Sequence, residues 1–384
     1  GFAAFGDSYS VGIGTGIDGG YLDSEGACRY GQHAYPLLLH QDLNNATASN
    51  TSFQWLSCVG SQIADLLSAL PSSQIDALNT SLPLSFATLS IGGNDLGYFD
   101  IMNACIFRFY AWYSGPCATA LAAADTALAS PLFAYHLDIL LTELLDRVAW
   151  EKRPGFTITV TGYARFFNAL TPACDDMSLG VWEGKKPSGA APKLTRELRA
   201  RVNGLVVATN GKLREAVQRA NARFRSEAAR SPRVVFVDYD AQFEGHRFCE
   251  QGVVEPAYNR TETWFFLVGG PDNAPDRTKD GRGAVRDGSA SSSTAVMIPN
   301  TLDPASRLID PQTCLARAQK RGDWGELAVC YMAMASSRDA DLRPAYAEVR
   351  AQNGMWWVPT SYGKAFHPRS LGYEAIRDEI YETW

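Results

Sequence analysis

The sequence predicts a three-layer α/β/α sandwich, in which helices cover both faces of a mostly parallel β-sheet. Buried strands alternate with amphipathic helices, the pattern of repeated βαβ units. Strands are predicted by short runs rich in β-branched or aromatic residues, at 2–5, 53–58, 86–91, 156–162 and 234–240. Helices are predicted by apolar residues spaced three and four apart, at 64–70, 133–150, 193–224 and 371–381. Because ligands of such folds bind beyond the carboxyl ends of the strands, functional residues are expected in the loops that follow them.

One segment departs from this alternation. Residues 271–294 are rich in Gly, Pro, Asp and Ser, and a patchy helical pattern resumes only at 308–334. We interpret 268–351 as a large insertion within a single domain that spans 1–384. Its place just before the C-terminal histidine block favours a cap or lid over a site, and a decorated surface loop is an equal alternative.

Composition excludes several classes of protein. The chain has 384 residues, of which 46% are apolar and 20% charged, which is typical of a globular protein and not of a disordered one. No run of eighteen apolar residues is present, so no transmembrane segment is predicted. The net charge of -6 and the lack of a dense basic run argue against nucleic acid as a partner.

Cysteines and glycosylation sequons together predict a secreted, extracellular protein. The eight cysteines contain no CxxC pair, which favours disulfides over a metal site: Cys28, Cys58, Cys105, Cys117, Cys174, Cys249, Cys314 and Cys330. Four N-x-Ser/Thr acceptors point the same way, at Asn45, Asn50, Asn79 and Asn259. The sequence opens directly in an apolar strand at Gly1, so we expect that a signal peptide was cleaved or omitted.

Three predicted strands end in residues suited to acyl chemistry. The first is followed by Gly-Asp-Ser-Tyr-Ser, which places the hydroxyl of Ser8 on a tight turn as a candidate nucleophile. The second is followed by Gly60, whose main-chain N–H could face the same rim. The third ends in Gly-Gly-Asn-Asp, where the amide of Asn94 could donate to a developing oxyanion.

A serine hydroxyl needs a base, and His367 has the most suggestive surroundings of the five histidines. It lies in Ala-Phe-His-Pro, on a loop directly before the last predicted helix. His33 and His40 are seven residues apart, but further ligands for a metal cannot be placed. The sequence therefore predicts no metal site, and hydrolysis by a serine and a histidine needs no cofactor.

In their order and spacing these four blocks resemble the GDSL, or SGNH, hydrolase family, most closely its secreted actinobacterial and fungal lipases and esterases. The resemblance covers about 2–258 and 361–384, and leaves the insertion uncovered. It implies a flavodoxin-like fold with Ser8 as nucleophile and His367 as general base. It also implies an oxyanion hole made by the N–H groups of Ser8 and Gly60 and by the side chain of Asn94.

The chain departs from the family at the third member of the triad. The family usually has an aspartate three residues before the histidine, where this chain has Lys364. Some secreted members use the backbone carbonyl of the residue at that position to orient the imidazole. We therefore expect a Ser-His dyad assisted by the Lys364 carbonyl only, with the lysine side chain pointing elsewhere, although a distant carboxylate remains an alternative.

The same resemblance implies a disulfide framework. Eight cysteines allow 105 pairings by count alone. The resemblance implies the pairs Cys28–Cys58, Cys105–Cys117 and Cys174–Cys249, which leaves Cys314 to pair with Cys330 inside the insertion.

The sequence thus predicts a secreted serine ester hydrolase, a lipase or esterase, that acts through an acyl-enzyme on Ser8. Lipid or small-molecule acyl esters are the leading substrates, because Trp356 and Trp357 precede the histidine loop and could line an acyl pocket. Alternatives are an acetylxylan-type deacetylase acting on polysaccharide esters, an acyltransferase, and a binding glycoprotein without activity.

Overall fold

The computed structural model describes residues 1–16, 28–47, 51–70, 73–107, 116–179, 192–225, 231–257, 260–267, 270–274 and 360–384. Five parallel strands form one sheet in the order β2-β1-β3-β4-β5. The strands are β1 (Phe2–Gly6), β2 (Phe53–Trp55), β3 (Phe86–Ser90), β4 (Thr157–Thr161) and β5 (Arg233–Val237). The predicted fold class and all five predicted strands are confirmed, although β2 ends three residues earlier than expected.

Helices connect the strands. They are α1 (Ser8–Val11), α2 (Tyr35–Thr47), α3 (Ile63–Leu66), α4 (Gln74–Ala77), α5 (Tyr98–Ile101), α6 (Cys117–Ala129), α7 (Pro131–Val148), α8 (Arg196–Arg223), α9 (Thr360–Gly363) and α10 (Ser370–Thr383). A π-helix, Met102–Phe107, follows α5, and short 3-10 turns lie at Asn94–Leu96, Trp150–Lys152 and Asp240–Phe243. Helices α7, α8 and α10 confirm the amphipathic patterns, whereas α2 and α6 were not predicted. The insertion at 268–351, apart from 270–274, lies outside the described residues, as do Trp356 and Trp357.

The register of the sheet brings two functional turns to the same level. Strand β1 pairs with β3 so that Gly6 lies opposite Ser90, and both strands end there. The chain therefore leaves the sheet at neighbouring points, towards Ser8 on one side and Asn94 on the other. At the opposite end, the ring of Phe2 stacks on Phe53 and Phe86 at centroid distances of 4.7 and 4.6 Å, which anchors the ladder in the core.

Three of the four expected disulfides are formed. They join Cys28 to Cys58, Cys105 to Cys117 and Cys174 to Cys249, and the other two cysteines, Cys314 and Cys330, lie outside the described residues. Of the sequon asparagines, Asn45 and Asn79 are exposed, and Asn50 and Asn259 are not among the described residues. Within the described part of the chain no single helix is long and apolar enough to cross a bilayer. Helices α6 and α7 reach that length and apolarity only when they are taken together, and the chain bends by 58° between them.

Candidate active site

The turn after β1 holds a serine in a fixed position. Gly6 has φ +125° and lies so close to β3 that a Cβ atom there would be 1.9 Å from the Ser90 carbonyl oxygen, so only glycine fits. Asp7 then caps α1 by accepting the Tyr9 N–H at 3.0 Å. Ser8 is the first residue of this short helix and is 6% exposed. The local chemistry of Gly-Asp-Ser thus fixes the hydroxyl at the rim of the sheet.

The serine hydroxyl is paired with the predicted histidine. Ser8 Oγ lies 2.7 Å from His367 Nε2 across 359 positions of sequence. Burial lowers the pKa of His367 from 6.5 to about 4, and backbone hydrogen bonds with Ala365 and Lys364 oppose this shift only in part. The ring is therefore neutral at pH 7. The main-chain carbonyl of Ala365 lies beside Nδ1 and can only accept a hydrogen bond, so Nδ1 carries the hydrogen and Nε2 is free to accept the proton of the serine.

The carbonyls of Ala365 and Lys364 both act on the imidazole of His367, and a hydrogen bond with each favours its charged form. The Ala365 oxygen lies 3.2 Å from Nδ1, and the Lys364 oxygen also accepts the main-chain N–H of His367 at 2.9 Å. Phe366, which lies between Ala365 and His367, has φ +63°, and this left-handed residue turns the chain sharply there. The Ala365 oxygen also accepts the hydroxyl of Tyr98 at 3.0 Å, which fixes its direction.

The Lys364 side chain does point elsewhere, as expected. Its ammonium lies 4.5 Å from the ring centroid of Phe266, and its stem runs beside Gly14, where an added Cβ would be 2.5 Å from Lys364 Cδ. A cation over a ring face gains from the ring quadrupole. The lysine therefore packs into the protein and does not replace the missing aspartate.

The two predicted oxyanion donors are neighbours of the serine turn. Asn94 follows β3, and its Nδ2 donates one hydrogen bond, to the Ser61 oxygen at 2.9 Å, which leaves a second hydrogen on the same nitrogen. Gly60 has φ +80°, and two residues earlier the Cys58 N–H donates to the Gly6 oxygen at 3.0 Å. The main-chain N–H groups of Ser8 and Gly60 donate to no acceptor within the described residues. These two N–H groups and the second hydrogen of Asn94 Nδ2 are the candidate donors of the expected oxyanion hole, and Ser8 and Asn94 line the same cleft.

Two carboxyls that the sequence did not single out, those of Asp7 and Asp95, hold the turns around the serine. Asp95 accepts the N–H of Ile63 at 3.1 Å with both oxygens, and so ties the Asn94 turn to the loop that carries Gly60. Burial raises the pKa of Asp95 to about 7 and that of Asp7 to about 6. Both aspartates belong to the sequence blocks: Asp7 follows Gly6 and Asp95 follows Asn94, so their positions could have been noted from the sequence. Among the described residues no His, Cys, Asp or Glu are grouped so as to hold a metal ion.

An apolar cleft opens beside the serine. It encloses about 630 Å³ of empty space, its open mouth included, and Ser8 and Asn94 lie in its wall. Most of the remaining lining is aliphatic or aromatic and comes from the segment after β3, the π-helix, α6, the loop after β4 and α8: Leu96, Tyr98, Ile101, Met102, Ala124, Phe166, Val202, Leu205 and Val206. Sequence analysis did not foresee this lining, because α6 was not predicted and α8 appeared only as a helix that covers the sheet.

Known proteins with similar sequences are lipases. The chain is 32% identical over 171 residues to Lipase 1 of Streptomyces coelicolor and 29% identical over 166 residues to a lipase of Streptomyces rimosus. The matches cover 44% and 43% of this chain, and 55% and 53% of the two lipases, so the chain spans about half the length of the curated relatives that it matches.

A solved structure, the phospholipase A1 of Streptomyces albidoflavus NA297, is 27% identical with a TM-score of 0.44, and the match covers 65% of this chain and 83% of that one. No family model matches the chain. The two matched sequences are lipases of Streptomyces, which agrees with the resemblance of the four sequence blocks to lipases of the GDSL, or SGNH, hydrolase family.

Proposed function

We propose that the protein is a serine ester hydrolase, a lipase or esterase, that cleaves carboxylic esters through an acyl-enzyme on Ser8. The observation that carries the proposal is the 2.7 Å contact between Ser8 Oγ and His367 Nε2, with a carbonyl at Nδ1 that leaves Nε2 as the acceptor. The similarity to two lipases supports the same class of reaction.

The reaction has two halves. As Ser8 Oγ bonds to the ester carbonyl carbon, its proton passes to Nε2 of His367, and the carbonyl oxygen takes the negative charge. The N–H groups of Ser8 and Gly60 and the Nδ2 of Asn94 donate to that oxygen. Collapse breaks the bond to the alcohol, which leaves with the proton from Nε2. A water molecule then gives its proton to Nε2 and its oxygen to the acyl carbon, and Ser8 recovers the proton as the acid is released.

No carboxylate of the described residues contacts the imidazole, and its Nδ1 has a main-chain carbonyl as partner. A neutral carbonyl stabilises the imidazolium less than an aspartate would, and burial further disfavours the charged ring. A base of low pKa is a weaker proton acceptor but is unprotonated over a wide range of pH. We therefore infer an enzyme that tolerates mildly acidic conditions.

The cleft favours an ester with an apolar acyl chain. Leu205 and Val206 of α8 and Met102 of the π-helix line it together with Ser8. Burying an extended alkyl chain there contributes about 0.8 kcal/mol per methylene group. The single methyl of an acetyl group would contact only a small part of this lining, so we infer that the acyl group has several carbons.

Export from the cell is part of the proposal. Three disulfides persist only in oxidising compartments, and the exposed sequons Asn45 and Asn79 are accessible to a glycosylation machinery.

The test is the initial rate of hydrolysis of nitrophenyl esters from acetate to palmitate. We expect a rate that rises with chain length beyond acetate and that falls at least about a thousandfold in Ser8→Ala. Ser10→Ala is the matched control, because this neighbouring serine binds the Ser57 hydroxyl at 2.6 Å and lies outside the cleft. Wild-type hydrolysis that survives in Ser8→Ala, or no hydrolysis of any ester, would refute the proposal.

A pair of adjacent valines tests the acyl site. Val206 lines the cleft, whereas Val207, the next residue of α8, is 55% exposed. Val206→Trp should shift the preferred ester to a shorter chain, and Val207→Trp should leave the preference unchanged. Equal profiles for both variants would place the acyl chain somewhere other than this cleft.

A further inference from the structure

The phenol of Tyr163 joins the serine turn to the asparagine turn. Its hydroxyl donates to Asp7 Oδ2 at 2.7 Å and accepts the main-chain N–H of Gly93 at 3.2 Å. Asp7 immediately precedes Ser8, and Gly93 immediately precedes Asn94. One oxygen atom is therefore hydrogen-bonded to the residue before each of two proposed functional groups.

The direction of these bonds is fixed by chemistry. A carboxylate of Asp7 can only accept, and a main-chain N–H can only donate, so the hydroxyl must turn its hydrogen to Asp7 and its lone pair to Gly93. Asp7 Oδ1 meanwhile accepts from Tyr9 N–H at 3.0 Å and from the Ser90 hydroxyl at 3.2 Å. The arrangement leaves the phenol a single orientation.

Tyr163 itself is held rigidly. The side chain of Asn210, on α8, accepts the main-chain N–H of Tyr163 and donates to the main-chain carbonyl of Tyr163, each at 2.8 Å. The Tyr163 ring packs edge to face on Tyr9 at 5.0 Å between centroids. The neighbouring Gly162 allows this clamp, because a Cβ there would be 2.9 Å from Asn210 Oδ1. The hydroxyl thus extends from a fixed backbone, and its position is transmitted to Gly93.

We propose that Tyr163 is a positioning residue for the oxyanion hole, which sets the Gly93–Asn94 turn relative to Ser8. The inference rests on the proposed ester hydrolysis and adds a residue outside the four sequence blocks. A preorganised donor loses most of its value if it is displaced by about 1 Å, so loss of the hydroxyl should slow the chemical step and leave substrate binding intact. The cleft wall is kept in Tyr163→Phe, because the ring remains.

The experiment measures kcat and KM of Tyr163→Phe on the best nitrophenyl ester. Removal of a whole oxyanion donor slows an enzyme by about 100- to 1000-fold. We therefore expect a displaced one to lower kcat by roughly tenfold or more, with KM within about twofold of the wild type. Tyr373→Phe is the matched control: it removes another buried phenol hydroxyl, one without a hydrogen-bond partner in the described part of the chain, and should leave kcat unchanged.

A double-mutant cycle separates positioning from a general structural effect. If Tyr163 acts through Asn94, then Tyr163→Phe should slow Asn94→Ala no further, because the positioned donor is already gone. All variants are compared well below their own melting temperatures. An unchanged kcat in Tyr163→Phe, or losses that multiply in the double variant, would overturn the inference. The proposed function fails separately, when the wild type shows no hydrolysis that depends on Ser8.

Discussion

The two residues of the dyad are held by different kinds of structure. Ser8 follows a central strand, with β2 on one side of β1 and β3 on the other, and the ladder itself fixes its place. His367 lies on a loop away from the sheet. Backbone hydrogen bonds hold that loop to a neighbouring segment: Phe366 N–H to the Phe266 oxygen at 2.7 Å, Phe266 N–H to the His367 oxygen at 2.9 Å, and Arg369 N–H to the Trp264 oxygen at 2.7 Å.

The histidine loop is further fixed by aromatic packing and by two phenols. The ring of Phe366 contacts Phe248 at 4.7 Å and Phe167 at 5.4 Å between centroids. The hydroxyls of Tyr9 and Tyr98 donate to the oxygens of Phe366 and Ala365 at 2.8 and 3.0 Å. The position of the serine is thus fixed by the β-ladder, whereas the position of the histidine depends on a few specific contacts. Changes on the histidine side should therefore lower activity more readily.

The pH dependence of the rate gives the largest contrast between a buried His367 and one with an ordinary pKa. Because burial lowers the pKa of His367 to about 4, the base stays neutral as pH falls from 7 to 5, and kcat/KM should fall by less than about threefold. Below pH 4 it should fall about tenfold per unit. A base with the ordinary pKa of 6.5 would instead lose about thirtyfold between pH 7 and pH 5.

The rate is measured as initial kcat/KM from pH 8 to pH 3, with the double variant Asp7→Asn/Asp95→Asn alongside. Burial raises the pKa of Asp7 to about 6 and that of Asp95 to about 7, so both titrate within the same range. We expect the variant profile to be flat from pH 7 to pH 5. A thirtyfold fall that persists in the double variant would show that His367 titrates near its usual pKa.

A buried arginine on the histidine side gives the next largest effect. Arg369 is 2% exposed, and its Nη1 donates to the oxygens of Arg260 and Thr263 at 2.6 and 2.9 Å. Arg369→Met keeps the bulk of the side chain but leaves both carbonyls unsatisfied. We expect the free energy of unfolding to fall by about 1–3 kcal/mol and kcat to fall by roughly tenfold, because His367 is two residues away.

Arg147, an exposed arginine in the last turn of α7, is the control, because it also donates to main-chain carbonyls. Its guanidinium donates to the oxygens of Ile75 and Leu78 at 3.1 and 3.0 Å. Arg147→Met should lower the free energy of unfolding, measured by denaturant titration, without changing kcat. An equal loss of kcat in both variants would contradict the view that the histidine loop is the more easily displaced half of the site.

The sequence predicted the serine side more fully than the histidine side for the same physical reason. A short apolar run that ends in glycine predicts both a strand and the turn that follows it, so Ser8 and Asn94 could be placed at one rim. His367 was found only through its block, and the role of the Ala365 carbonyl was not predicted, because the left-handed backbone of Phe366 has no sequence signal in a non-glycine residue. Tyr163 was missed because its two hydrogen bonds exist only when the ends of β1, β3 and β4 lie together in the folded sheet.

The smallest effect is expected at the position where the family usually carries an acid. In Lys364→Met the aliphatic stem that packs on Gly14 is kept and the cation over the Phe266 ring is lost. In Lys364→Ala both are lost. Because main-chain carbonyls face the imidazole, and main chain survives both substitutions, kcat should stay within about threefold of the wild type in each. Only the melting temperature should separate them, with Lys364→Ala the lower, since it also loses packing. A tenfold loss of kcat in Lys364→Met at an unchanged melting temperature would mean that the ammonium itself acts on the dyad.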